Sequence, residues 1–349
     1  MPSLRVLGVW LDPTLSWKDH ILTATQKGIK AFESLARVTS SVWGPSVRKS
    51  RLLYTAVARP IMTYGSQIWA VNDKGGPVSQ ARINAMATTQ NKCLRKIMGA
   101  YKRTPIAAIE RESAIPPIDL HLQSQATQRA ATTEHHKVTQ EIETALQQIW
   151  DATTAPPRRA RGRPRRERGP KLESTMRTLH NQAIKINNEA RQRQMDERAE
   201  ANGRNGRRLR RPRTIQSRSK HGNIDAHFAT VWKKRWKDHA SKAGSRAMTW
   251  KGDWEQQPLS LYEGLLKHEA TALFLLRTEV MGLRAWLARV GVPDIHPACD
   301  CGALRQMLDH ILAFCPDLST QRVELVSKTG STDIRKMLGD KNKVQHVAR

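Results

Sequence analysis

Cys299-Asp300-Cys301-Gly302-Ala303-Leu304-Arg305-Gln306-Met307-Leu308-Asp309-His310-Ile311-Leu312-Ala313-Phe314-Cys315 holds three of the chain's four cysteines and one histidine, spaced Cys-x-Cys-x8-His-x4-Cys. Four soft or borderline ligands are what a tetrahedral structural zinc site needs. Cys299 and Cys301 fit a tight turn that presents both thiolates to one ion. Leu304 to Phe314 reads as a helix carrying His310, with Cys315 just past its end and stopped by Pro316. The ion would replace a hydrophobic core that so short a segment is unable to build. With four ligands present no open position is implied, so the expected role is structural rather than catalytic. His296 is a lesser substitute, placed before the turn. The plainer alternative makes the three cysteines core or surface residues and His310 an ordinary helix residue.

Upstream of the cluster, Leu259 to Val290 reads as a helical block interrupted at Gly282. Phe228, Trp232 and Trp236 recur at spacing four, which lines one helix face and favours a core role over base stacking. Nearer the N-terminus, Leu4 to Leu11 reads as a short strand without an obvious partner, ending at Asp12-Pro13. Helical periodicity then takes over, with Ile21, Ile29, Phe32 and Leu35 on one face of Trp17 to Val38. A second helix carries Val47, Tyr54, Val57 and Ile61, and Pro60 should kink or divide it. A third runs from Val78 to Met98, with Ala85, Met86, Cys93, Leu94 and Ile97 inward and Gly99 as its C-cap. Cys93 reads as a small buried hydrophobe. Thr104-Pro105 opens a short helix to about Glu112, and Asp119 caps a long one reaching about Trp150.

Charge separates these helical blocks. The chain carries 59 Lys plus Arg against 31 Asp plus Glu, a net +28. Between Asp151 and Lys220 there are 21 Lys plus Arg and 7 Asp plus Glu, a net +14. Pro, Gly and Arg dominate that stretch, and large apolar residues are sparse. It buries too little to offset its ordering entropy and is expected to be disordered, with a transient helix over about Leu172 to Ala201. Such an excess of positive charge attracts polyanions, nucleic acid first among them. Arg161-Gly162-Arg163-Pro164, flanked by Arg158, Arg159, Arg165 and Arg166, resembles an AT-hook, which lies in a narrow A·T minor groove. Arg207, Arg208, Arg210 and Arg211, with Lys233, Lys234 and Arg235 beside the aromatic stripe, are further candidate phosphate contacts. The run Arg161 to Arg168 also fits a nuclear localisation signal.

Several classes are disfavoured. No apolar stretch is long enough to span a membrane. Walker, nucleophile-elbow and dinucleotide fingerprints are absent, so no small-molecule substrate is expected. One isolated cysteine and three clustered beside a histidine suit a reducing compartment better than a disulfide framework.

A resemblance emerges from the order of segments. Leu7-Gly8-Val9-Trp10-Leu11-Asp12 and Leu15-Ser16-Trp17-Lys18-Asp19-His20-Ile21 begin the series. Leu53-Tyr54-Thr55-Ala56-Val57-Ala58-Arg59-Pro60, Tyr64-Gly65, Cys93 to Pro105 and Ile115-Pro116-Pro117-Ile118-Asp119-Leu120-His121-Leu122 continue it. Together they resemble the end of the palm and the thumb of reverse transcriptases from non-LTR (LINE-type) retrotransposons, especially fungal ones. Leu276-Arg277-Thr278-Glu279, Gly282-Leu283, Gly291-Val292-Pro293 and the cysteine cluster resemble the segment that closes many such reading frames.

Periodicity and composition give a mainly α protein, and the resemblance assigns its N- and C-terminal parts. Residues 1–150 would be the palm end and thumb-like bundle with one short N-terminal strand, and 151–225 a long basic disordered linker. A second small helical region would occupy 226–298, the zinc-stapled segment 299–316 and a tail 317–349. It also implies polymerase chemistry, which needs palm carboxylates to hold two metal ions. Those carboxylates are expected upstream of Leu4, and no endonuclease or RNase H carboxylate set is present. Asp12 and Asp19 read as turn and helix-start residues. The expectation is therefore a nuclear, non-catalytic nucleic-acid-binding remnant, with no catalytic residue assigned. Two alternatives stand beside it: a component active with a palm supplied in trans, and a chromatin-binding protein using the Gly-Arg-Pro motif.

Overall fold

The computed structural model describes residues 3–12, 14, 16–36, 43–70, 79–132, 172–203, 217–243, 254 and 257–348. Among these the protein is mainly helical, with one two-stranded sheet. The chain divides into two compact units, each discontinuous in sequence. One gathers 1–17, 65–84 and 118–232, and the other 18–64, 85–117 and 233–349.

In the first unit, β1 (Leu4–Val6) and β2 (Val9–Leu11) pair antiparallel, with Leu4 opposite Leu11 and Val6 opposite Val9. The stretch that read as one unpartnered strand is thus a hairpin folded on itself. Its turn places Leu7 at φ 47° and Gly8 at φ 87°, the left-handed pair that a two-residue hairpin turn uses. Leucine seldom adopts that conformation, so the turn gives no signal in the sequence. Asp12 closes the next turn: Oδ2 accepts from the Thr14 hydroxyl (2.6 Å) and Ser16 N (2.9 Å), and Oδ1 from Trp17 N (2.9 Å). Slight burial would raise its carboxyl, but these donors outweigh it and hold the carboxyl well below the usual range.

The short α4 (Ser66–Trp69) buries Trp69, and three longer helices supply a further apolar cluster of this unit. They are α7 (Ile118–Thr132), α8 (Leu172–Gly203) and the first part of α9 (Ser217–Ala243). Leu120, Ala183, Ile186, Ile224 and Phe228 are buried together, with Ala131, Val231 and Trp232 packed against them. Asp225 Oδ1 accepts from Ser124 Oγ (3.2 Å) and Gln128 Nε2 (2.6 Å), which fixes α9 on α7. The helix expected over about Leu172 to Ala201 is present as α8, where Ala183 and Ile186 find apolar partners. The remainder of that expected linker, 151–171 and 204–216, lies outside the described residues, as does 133–150 of the long helix expected after Asp119.

The second unit begins with α1 (Lys18–Ala36), whose Ile21, Ala24 and Phe32 are buried. It packs on a continuous helical run made of α2 (Val47–Leu53), a π turn (Tyr54–Ala58) and α3 (Arg59–Met62). The expected break at Pro60 takes the form of that π turn. Proline lacks an N–H and crowds the preceding turn, and the wider turn just before it accommodates both defects. Tyr54 Oη donates to Gln90 Oε1 (2.8 Å) on α5 (Gln80–Met98), and Gln90 Nε2 donates to Pro116 O (3.0 Å).

Beyond α6 (Ile106–Ser113), the same unit takes in a 3-10 turn (Pro258–Tyr262), α10 (Lys267–Thr278) and α11 (Arg284–Arg289). It is completed by α12 (Ser319–Thr329), α13 (Ile334–Gly339) and α14 (Lys341–Ala348). The C-terminal stretch is thus helical, and it buries Met337, Leu338 and Val344. The start of α10 docks on the end of α5. Lys267 Nζ donates to Ile97 O, and burial pushes its amine down to about 8. Gly99 ends α5 at φ +68°, and a Cβ there would lie 2.5 Å from Thr271 Cγ2. The C-cap position is therefore reserved for glycine twice over, by conformation and by space.

At the centre Arg277 clasps Glu112 through two parallel hydrogen bonds, Nε to Oε2 and Nη2 to Oε1, each 2.8 Å. Tyr262 Oη donates to the same carboxylate at 2.5 Å, and Arg277 Nη1 donates to Leu338 O. The Glu112 side chain is 0% exposed and the Arg277 side chain 6%. Burial alone would raise the Glu112 carboxyl, but the Arg277 charge, its hydrogen bonds, Tyr262 and Arg111 hold it below the ordinary value.

Removing one partner strands the other in the core. Glu112→Ala should cost about 3–5 kcal/mol, read as a lower urea midpoint, while Glu112→Leu with Arg277→Met recovers much of the loss. The folded pKa of Glu112 lies below the unfolded value of about 4.3. Its contribution is therefore complete above that pH and is lost as pH falls through the folded value. Wild type should lose midpoint on acidification below about pH 4, and the Leu/Met pair should lose less.

Candidate metal centre

The cysteine segment folds around two turns. Cys299 N donates to Ala303 O (2.9 Å) and Gly302 N to Cys299 O (3.0 Å), which closes a tight loop bearing Cys299 and Cys301. Gly302, at φ +89°, supplies the left-handed residue that this loop needs. Gln306 N then donates to Pro297 O (2.8 Å), so the two arms run back beside each other. That pairing keeps Leu304 to Met307 out of the helix expected there. Helical geometry starts only at Leu308, and His310–Phe314 forms a π turn closed by Cys315 N to His310 O (2.7 Å). The wide turn brings His310 and Cys315 round to the same side.

Cys299, Cys301, His310 and Cys315 converge, with their ligand atoms all within 4.8 Å of one another. Cys299 Sγ lies 4.0 Å from Cys315 Sγ, and Cys301 Sγ lies 3.2 Å from His310 Nε2. A tetrahedral ion with bonds of about 2.3 Å to sulfur and about 2.05 Å to nitrogen sets edges of about 3.8 Å and 3.6 Å. The four donors match in number and chemistry, lie close together, and could hold a metal ion. His296 stands aside: it is exposed, and its Nδ1 accepts from Ala298 N (3.3 Å).

The electrostatics favour a thiolate. The Cys301 backbone N–H, with the His310, Cys301 and Gln306 side chains, brings the Cys299 thiol down to about 6 against its burial. For Cys301, the Ala303 backbone favours the thiolate, but burial and the neighbouring Cys299 and Cys315 sulfurs outweigh it and push the thiol up. Crowded thiolates repel one another, and a divalent ion relieves that repulsion.

Gln306 supports the cluster from outside. Its Nε2 points at Cys299 Sγ (3.8 Å), while Oε1 accepts from Arg284 N (3.0 Å) at the start of α11. Its carbonyl accepts from Ala285 N (3.4 Å). Arg284 then pairs with Asp300 between the two cysteines (2.7 Å), and Arg322 Nη2 on α12 donates to Cys315 O. No sequence pattern marks Gln306, because its role depends on the loop having folded.

The other candidate residues fall differently. Arg158, Arg159, Arg161, Gly162, Arg163, Pro164, Arg165 and Arg166 lie outside the described residues, as do Arg207, Arg208, Arg210 and Arg211. Lys233, Lys234 and Arg235 lie on α9, with Lys234 exposed and the other two half-buried. The aromatic stripe beside them is core material: Phe228 and Trp236 are buried and Trp232 is half-buried. Trp236 packs 5.4 Å from Trp254, and Arg111 lies over the Trp254 ring at 4.7 Å. No described helix is long and apolar enough to cross a membrane. Comparison of the chain with protein-family models, curated proteins and solved structures returned no match.

Elemental analysis should find one metal ion per chain in the purified protein and none in Cys301→Ser. Gln306→Ala should retain the ion but lose it to a competing chelator at about 10-fold lower chelator concentration.

Proposed function

We propose that the chain is a non-catalytic nucleic-acid-binding protein derived from a non-LTR retrotransposon reverse transcriptase, stapled by a structural zinc ion. The observation that carries the binding is charge: a net +28, half of it within Asp151 to Lys220. Lys and Arg that neutralise phosphates release counterions, which makes binding strong at low salt and largely independent of sequence. The ordered motifs from Leu7 to Leu122 and from Leu276 to Cys315 support the retroelement origin. Three cysteines and one histidine brought together, four ligands with no open position implied, favour zinc in a structural role. Asp12 is engaged by Thr14, Ser16 and Trp17, and Asp19 sits in the first turn of α1, as turn and helix-start residues do. Basic runs such as Arg161 to Arg168 suit a nuclear location.

Filter binding to DNA and RNA across a salt series tests the reading. Six to ten phosphate contacts predict a loss of about 10³–10⁵ in affinity between roughly 50 and 200 mM salt. Weak binding at low salt with no slope would sink it. Primer extension by the isolated chain would overturn the non-catalytic part, and elemental analysis that finds a metal other than zinc would overturn the staple's identity.

A further inference from the structure

We infer that Tyr101 and Trp286 form a base-stacking platform for single-stranded nucleic acid, a site that rests on the nucleic-acid-binding reading above and gives it a location. The two rings stack with centroids 5.7 Å apart and planes 25° from parallel. Trp286 stacks against the tyrosine, yet Tyr101 remains 44% exposed, so part of it stays open to solvent. Every base has a π face, so an exposed aromatic ring recognises single strands whatever their sequence, while paired bases stay stacked inside a duplex.

The platform is rigid. Tyr101 O accepts from Arg95 Nη1 (2.6 Å) and from Thr104 N (3.1 Å), so the Tyr101–Thr104 turn is pinned to the end of α5. Trp286 rides on α11, whose first N–H groups are held by Gln306. The metal cluster thereby orients one half of the stack. Rings held in advance lose little entropy when a base arrives.

Cations lie close to both rings in the chain. Lys102 and Arg103 occupy the centre of the pinned turn, both exposed, and Arg289 is exposed one turn beyond Trp286. Neither 95–105 nor 283–293 contains an acidic residue. Arg284 is committed to Asp300 and is not counted. Phosphates on either side of a stacked base would meet Lys102, Arg103 and Arg289.

Fluorescence anisotropy of the full chain with short labelled oligo-dT and oligo-U strands, and with a blunt duplex, decides the matter. Tyr101→Ala should weaken single-strand binding by roughly five- to hundredfold. It should leave duplex binding and metal content unchanged, and Tyr101→Phe should bind like wild type. Lys102→Glu with Arg103→Glu should weaken both probes and flatten the salt slope. Equal single-strand affinity of wild type and Tyr101→Ala overturns the platform while leaving the general reading intact. Equal loss on single strand and duplex in Tyr101→Ala also overturns it, since the faces of paired bases are already covered by their neighbours in the duplex. Wild type that binds no probe at low salt overturns the general reading and the platform with it. The relative loss on oligo-dT and oligo-U separates DNA from RNA as the preferred strand.

Discussion

The larger of the two units depends on one ion pair removed from water. Glu112 is buried, and the guanidinium of Arg277, the hydroxyl of Tyr262 and the charge of Arg111 make its own charge tolerable there. A carboxylate without them would face a desolvation cost of several kcal/mol, on the order of a domain's whole stability. The same guanidinium reaches Leu338 O, so α6, the 258–262 turn, α10 and α13 meet at one charge. These elements are far apart in the chain and are obliged to fold together. Lys267 on Ile97 O and Thr271 against Gly99 close the seam at its other end.

From that seam the architecture extends outward by smaller devices. α11 follows α10 directly, and Gln306 ties it to the cysteine loop with both its side chain and its backbone. Arg322 fastens the loop's far end to α12. The cluster is thus connected on both sides to helices, and its ligands are held by turns rather than by a sheet. Zinc there would act as a staple within a helical unit more than as the centre of a separate finger.

Sequence patterns reveal what is local. Ile21 and Phe32 recur at helical spacing and are buried; Met86, Cys93, Leu94 and Ile97 line the inner face of α5. Cys93 is the small core residue its surroundings suggested, with a thiol pushed up by burial to about 12. The four ligands were legible because metal chemistry constrains residue type and spacing together. Other features were hidden because distant partners create them. Glu112 and Arg277 stand 165 residues apart, and nothing beside either marks a buried charge. Leu304 to Met307 has a helical composition, yet Pro297 O captures the Gln306 N–H first. Tyr101 and Trp286 become a pair only after the chain has folded.

The order of synthesis gives the Glu112 seam a further meaning. The segment holding Glu112 leaves the ribosome long before Tyr262, Arg277 and Leu338 exist. Until then the carboxylate has no buried counter-charge and α6 has no reason to surrender its hydration. α6 must therefore wait, solvated and undocked, on a chain that is still incompletely packed. A premature stop anywhere between Glu112 and Arg277 would make that waiting permanent. Within this reading frame, loss of the C-terminal third removes the keystone of helices encoded far upstream.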